Sequence, residues 1–131
     1  MIRIIQEKDI DIVAEIWLDT NISAHNFINS TYWLSNFEMV KKMLSQAEVY
    51  VYEDNSGIQG FIGLAHNYIS GIFVRHKCQS HNIGKQLMDF VKTIRSELTL
   101  NVYQKNIRAV KFYQQEYEVM IVFVPPINHY R

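Results

Sequence analysis

Val74-Arg75-His76-Lys77-Cys78-Gln79-Ser80-His81-Asn82-Ile83-Gly84-Lys85 joins two segments of different period. Before it, Ile69 to Val74 is a short apolar run of strand type. After it, Ile83, Leu87, Phe90, Val91 and Ile94 fall at i, i+4, i+7, i+8 and i+11, one face of a helix. The first turn of such a helix carries backbone N–H groups without intrahelical partners and the positive end of the helix dipole, so it suits an anion. Gly84 permits close approach of backbone to a ligand, and Asn82 belongs to the few non-glycine residue types that tolerate left-handed φ. Between Gly71 and Met88 stand three cations, Arg75, Lys77 and Lys85, and no acid. The stretch reads as an anion cradle; the same residues also fit a solvated strand-to-helix loop with ordinary surface lysines.

Upstream, Val49-Tyr50-Val51-Tyr52, the turn cluster Glu53-Asp54-Asn55-Ser56-Gly57 and the apolar run Ile58 to Ala65 predict a hairpin, and Ile69 to Val74 extends it to a meander. At the N-terminus, Ile2, Ile4 and Ile5 predict an opening strand and Asp9 a helix cap. Ile12, Val13, Ile16 and Trp17 set a helix over about 9–20; a loop is expected at 21–31, and a second helix at 32–46 on Phe37, Val40, Met43 and Leu44. Downstream, Leu98 to Tyr103 is a strand, Asn106 caps a helix bearing Ala109, Val110, Phe112 and Tyr113, and Val119 to Val124 is a last strand before Pro125-Pro126. The predicted order is βααβββαβαβ, one α/β domain over 1–131 with a mixed, mostly antiparallel sheet flanked by helices.

Composition bounds the partners. The chain has 131 residues, 48% of them apolar, with 13 basic and 13 acidic side chains and no net charge, so no general field gathers nucleic acid or an anionic membrane. A lone cysteine, Cys78, forms no internal disulfide, and no Cys/His spacing of metal-site type is present. Glu7-Lys8-Asp9 interrupts the N-terminal apolar run, and no stretch approaches the roughly 18 apolar residues of a membrane span. A cytoplasmic protein without metal, nucleic acid or membrane partner is the expectation.

Gln79-Ser80-His81-Asn82-Ile83-Gly84 resembles the Gln/Arg-x-x-Gly-x-Gly/Ala signature of the GNAT superfamily of N-acetyltransferases, in its place between the fourth strand and the helix that follows. Asn101 to Tyr113, with Asn106, Ala109, Phe112 and Tyr113, is similar to that family's Asn-x-x-Ala-x-x-Phe-Tyr stretch after the fifth strand. The element order agrees over about 2–124. His25-x-Phe27-Ile28 followed by Tyr32-Trp33 is similar to a bacterial branch of short acetyltransferases, some of which act on protein lysines.

The resemblance implies acetyl coenzyme A as co-substrate, held where the fourth and fifth strands splay apart. It places Ile72, Phe73 and Val74 beside the pantetheine arm through their backbone, the N–H groups of Gln79, Ser80, His81, Asn82, Ile83, Gly84 and Lys85 around the pyrophosphate, and Asn106 at the pantetheine side. Tyr113 takes the general-acid position, protonating the leaving thiolate after direct attack by an amine; read without the motif, it is a core aromatic beside Phe112. His25, Phe27, Tyr32 and Trp33 are candidate acceptor-binding residues, and equally a core set holding a loop. The acceptor is a small primary amine or a peptide or protein lysine, and a monomer or homodimer is left open.

The chain departs from the pattern at His76, where the family commonly has proline, and at Asn82, where it has its first glycine. Asn101 stands where some relatives carry a glutamate base, which leaves His25, His66, His81, a water or an already neutral amine to take the proton. The Gly-Phe after the tyrosine helix is replaced near Tyr117-Glu118, and no sequence is expected to form the family's last strand beyond Val124. Asn101 and the missing last strand favour the competing function, a degenerate GNAT-fold module that binds coenzyme A without efficient catalysis, whereas Tyr113 and the intact cradle favour the enzyme. A nucleotide-binding protein of another kind would need a GxxxxGK[ST] or GxGxxG loop, and neither is present.

Overall fold

The computed structural model describes residues 1–79, 81–103, 105–116 and 120–124, with residues 115–116 and 120–124 described by backbone alone. Its elements are β1 (Ile2–Ile4), α1 (Ile10–Ala24), α2 (Ser30–Ser35), α3 (Phe37–Leu44), β2 (Glu48–Asp54), β3 (Gly57–Ala65), β4 (Tyr68–Val74), α4 (Ile83–Ile94), β5 (Thr99–Tyr103), α5 (Ile107–Glu116) and β6 (Met120–Val124). The six strands lie in sequence order, β1 to β4 antiparallel and β4, β5 and β6 parallel. This is the mixed α/β sheet flanked by helices that the patterning predicts.

Strand alternation divides the core between the two faces of the sheet. Val49, Val51 and Phe61 pack with Val13, Ala14 and Ile16 of α1 and Leu44 of α3. Ile62, Leu64, Ile69, Leu100 and Val102 pack with Ile83, Leu87, Met88 and Val91 of α4 and Tyr113 of α5.

Three local expectations differ in the structure. α1 continues into the predicted loop as far as Ala24, because Thr20 and Asn21 satisfy their polar groups on their own helix: Thr20 Oγ1 donates to Ile16 O at 2.6 Å and Asn21 Nδ2 to Trp17 O at 2.8 Å. The predicted second helix is two, divided at Asn36, whose backbone leaves helical geometry and whose Nδ2 donates to Tyr32 O at 2.7 Å, so the order gains a helix. Asp9 sits at the cap position of α1 without capping it, since its carboxylate accepts from Gln6 N–H at 2.8 Å and pairs with Arg3 at 2.7 Å.

Two bulges shape the sheet near the site. Gln59 is the extra residue of β3 opposite β2, where the register shifts between Tyr52 and Glu53. Its buried side chain donates to Asp54 at 3.0 Å and accepts from Cys78 Sγ at 3.3 Å, tying the hairpin to the loop before α4. Ser70 is the extra residue of β4, between Gly63↔Gly71 and Leu64↔Ile69. The predicted last strand is β6, which pairs along its whole length with β5; the seventh strand's place, like Tyr117, Glu118 and Ser80, falls outside the described residues.

Candidate active site

β4 and β5 pair only at Tyr68↔Thr99 and Ile69↔Leu100. The ladder stops at the residue before the Ser70 bulge, as expected where an added residue kinks and twists a strand. Beyond it the two strands separate. Arg75 N–H donates to Gln59 O at 2.8 Å, toward β3, so alternation turns the Phe73 backbone to β3 and the backbone groups of Ile72 and Val74 into the gap. Phe73 thus differs from its neighbours in its backbone pairing, while all three residues line the cleft between the strands. The Val74 carbonyl is already engaged by Gln79 Nε2 at 3.1 Å, leaving the Val74 N–H and both Ile72 groups toward the opening.

A cleft of about 490 Å³ fills the gap, walled by the C-terminal half of α1 (Thr20, Asn21, Ala24), by β4, and by the first turns of α4 and α5. Asn82, Ile83, Gly84 and Lys85 line it from α4. Asn82 has φ 63° and ψ 14°, the left-handed conformation that its side chain tolerates, and this turn aims the α4 N-terminus at the cleft. Gln79 N–H and His81 N–H are held by His76 O at 3.2 Å and Cys78 O at 3.3 Å, and His81 does not line the cleft, whereas Asn82, Ile83 and Gly84 at the α4 start do.

The cations also redistribute. Of the three in the predicted patch only Lys85 lines the cleft; Arg75 donates to Ile58 O at 3.1 Å and, with His76 and Lys77, borders a separate hollow beside Asp19 and Ser23. Arg108 and Lys111 of α5 face the cleft instead. Their spacing of three residues on a predicted helix was the available signal. Among the described residues no carboxylate lines the cleft, and Asn101 is exposed on β5 away from it.

Asn106 caps α5, its Oδ1 accepting from Ala109 N–H at 3.2 Å. One helical face further, Tyr113 combines its two readings: its ring is 6% exposed in the core, beside Phe112, and it lines the cleft. Burial pushes its phenol well above the ordinary tyrosine range, so it is held protonated. His25, at the C-terminal end of α1, reaches the same cleft, and its Nε2 lies 3.2 Å from Asn106 Nδ2. Burial lowers its pKa below the usual histidine value, against a weaker opposite pull from the Asn21 backbone.

Phe27, Tyr32 and Trp33, grouped with His25 as acceptor-binding candidates, do not line the cleft. Trp33 is buried and stacks on the His25 ring at 5.3 Å; Phe27 meets His25 and Tyr103 edge-on; Tyr32 packs on Trp33. They form the wall behind His25. Of the other histidines, His66 lies in the β3–β4 turn and its carbonyl accepts from Arg95, so His25 alone of the three base candidates reaches the cleft.

The cleft thus sets the open seam of a mixed sheet between the α4 N-terminus and the protonated phenol of Tyr113. Residues 21–116 match the acetyltransferase (GNAT) domain family, and the chain belongs to the GNAT acetyltransferases. It is 33% identical over 118 residues to peptidyl-lysine N-acetyltransferase YiaC of Escherichia coli (strain K12), covering 88% of this chain and 81% of that one. It is 29% identical over 101 residues to peptidyl-lysine N-acetyltransferase YjaB of Salmonella typhimurium (strain LT2), covering 76% and 70%. The solution structure of apo YjaB from Escherichia coli aligns with a TM-score of 0.79 at 23% identity over 88% of this chain and 79% of that one. The PaiA N-acetyltransferase of Thermoplasma acidophilum, solved with coenzyme A, aligns at 0.78 with 18% identity over 88% and 86%. Both structures share the fold.

Proposed function

We propose that this chain transfers an acetyl group from acetyl coenzyme A to the ε-amine of a lysine in a peptide or protein, with 1–131 acting as one catalytic domain. The observation that carries the proposal is the cleft at the β4–β5 separation, where Tyr113, the α4 N-terminus and the Ile72 and Val74 backbone converge. The relatives named as peptidyl-lysine N-acetyltransferases support the lysine acceptor.

The donor set suits the co-substrate. Backbone groups of Ile72 and Val74 match the amides of a pantetheine arm, as in addition of a strand. N–H groups of Asn82, Ile83 and Gly84 suit a pyrophosphate, and Lys85, Arg108 and Lys111 offset its charge. Bound acetyl coenzyme A supplies an activated acyl thioester. Tyr113 Oη holds the proton that the departing sulfur requires, and its raised pKa keeps that proton in place at neutral pH. With no carboxylate lining the cleft among the described residues, the acceptor delivers its amine already neutral or yields its proton to water.

Calorimetric titration with acetyl coenzyme A, followed by mass spectrometry of lysine peptides, tests this reading. Binding with acetylation that Tyr113→Phe abolishes is expected. Binding without turnover on any amine would favour the non-catalytic coenzyme-A module, and absence of binding would exclude both.

A further inference from the structure

Asn106 is held in one orientation. Its Oδ1 accepts from Ala109 N–H, so its Nδ2 is the group facing His25 Nε2 at 3.2 Å. A ring nitrogen opposite an amide donor must accept, which places the ring proton on Nδ1. Nδ1 is itself buried, and the backbone of Asn21, one helical turn back, favours a proton on the ring. The opposite tautomer would set two donors face to face, or turn the amide and strip the cap from Ala109. A proton on Nδ1 is thus the arrangement that leaves both the α5 cap and the Nε2 contact intact. The ring is held at this angle: Trp33 stacks on it at 5.3 Å, and Tyr103 and Phe27 abut it edge-on at 4.9 and 5.6 Å.

We infer that His25 is a positioning residue, a neutral Nδ1–H imidazole that latches the α1 C-terminus to Asn106 and so fixes the first turn of α5, the helix that brings Tyr113 to the cleft. The latch joins residues 81 positions apart. It is neither a general base nor an acceptor contact: the Nε2 lone pair is committed to Asn106, and Nδ1 is sealed from solvent. Phe27 and Trp33 then have a role without touching substrate, since they hold the ring at the angle that the latch requires. The catalytic consequence rests on Tyr113 acting as the acid; the latch itself does not.

Nitrogen-15 NMR of the full chain reads the latch without reference to activity. Wild-type protein at neutral pH is expected to show His25 as the neutral Nδ1–H tautomer, and an Nε2–H tautomer would overturn the inference. Asn106→Asp keeps an acceptor for Ala109 and presents a second oxygen to Nε2, so the His25 pKa is expected to rise by about one unit or more. An unchanged value would mean that the two side chains do not meet. In kinetics, His25→Leu is expected to lower kcat about tenfold with the acceptor KM unchanged, while His25→Gln, which retains an acceptor, recovers part of the loss. A raised acceptor KM at constant kcat, or loss of an acidic limb from the pH profile, would assign His25 to substrate contact or to proton abstraction. If no amine is acetylated, the proposed function fails and the NMR results still decide the latch.

Discussion

A Cβ placed on Gly84 would stand 3.4 Å from the Phe112 ring, so the first turn of α4 rests against α5 at the floor of the cleft with no room beyond ordinary contact. The sequence pointed to Gly84 as a residue admitting a ligand; the structure adds a helix-to-helix contact. Gly84→Ala is expected to leave stability within about 1 kcal/mol, since the methyl group just fits and alanine is the better helix former. Gly84→Leu must displace Phe112 and crowd the N–H groups, and acetyl coenzyme A affinity should fall at least about tenfold, roughly 1.4 kcal/mol by calorimetry. Equal affinity in the leucine variant would remove the cradle from the α4 start.

Tyr113→Phe is expected to lower kcat by about a hundredfold or more with little change in acetyl coenzyme A KM, because a positioned acid acts on the transition state. Its folded pKa is raised by burial. The associated stability is fully present below the unfolded tyrosine value of about 10 and declines as pH rises above it. Wild-type kcat should accordingly show no alkaline fall below about pH 10, whereas a fall near 8 would point to a different acid.

With no carboxylate in the cleft among the described residues, the proposed mechanism makes the acceptor's own ionisation the pH-controlling event. The acceptor kcat/KM is expected to rise about tenfold per pH unit from 7 toward the free lysine pKa of about 10.4. A plateau beginning near neutrality would reveal an unassigned base.

Arg108 and Lys111 line the cleft, whereas Lys77 borders the neighbouring hollow. Arg108→Ala or Lys111→Ala should weaken acetyl coenzyme A binding by about 0.5–1 kcal/mol and flatten its salt dependence, while Lys77→Ala leaves both alone. Titrations at two salt concentrations separate these outcomes, and a larger loss from Lys77→Ala would relocate the anion site.

Asp9 is 5% exposed and receives Arg3 and the Gln6 N–H, with Arg3 holding its carboxyl below the usual aspartate range. A depressed folded pKa gives stability that is present above the unfolded value of about 3.9 and lost as pH falls through the lower folded value. Asp9→Ala should cost about 2 kcal/mol in denaturant unfolding at pH 7, with the gap to wild type closing under acid. A constant gap down to pH 2 would assign the loss to packing.

Features governed by near neighbours in sequence could be read directly. The αL turn at Asn82, the α5 cap at Asn106 and the apolar face of α4 each follow from a residue's own chemistry within one helical turn. The end of α1 could not be read, because Thr20 and Asn21 look like loop residues until their hydrogen bonds to Ile16 and Trp17 are seen. Nor could the site be fully assigned. The contact of His25 with Asn106 spans most of the chain, the inward turn of Arg108 and Lys111 depends on how α5 docks, and alternation alone does not disclose that Ser70 is one residue too many.

That surplus residue makes the binding seam a matter of counting. Ser70 is exposed, and its side chain is absent from the cleft, so substitutions at this position leave the geometry of the seam in place. Deletion is another matter: it would restore the β4 register, bring Gly71 to Val74 back within reach of β5 and zip the sheet shut. A lost codon at this position would therefore reach the site by a route that no exchange of side chains can follow.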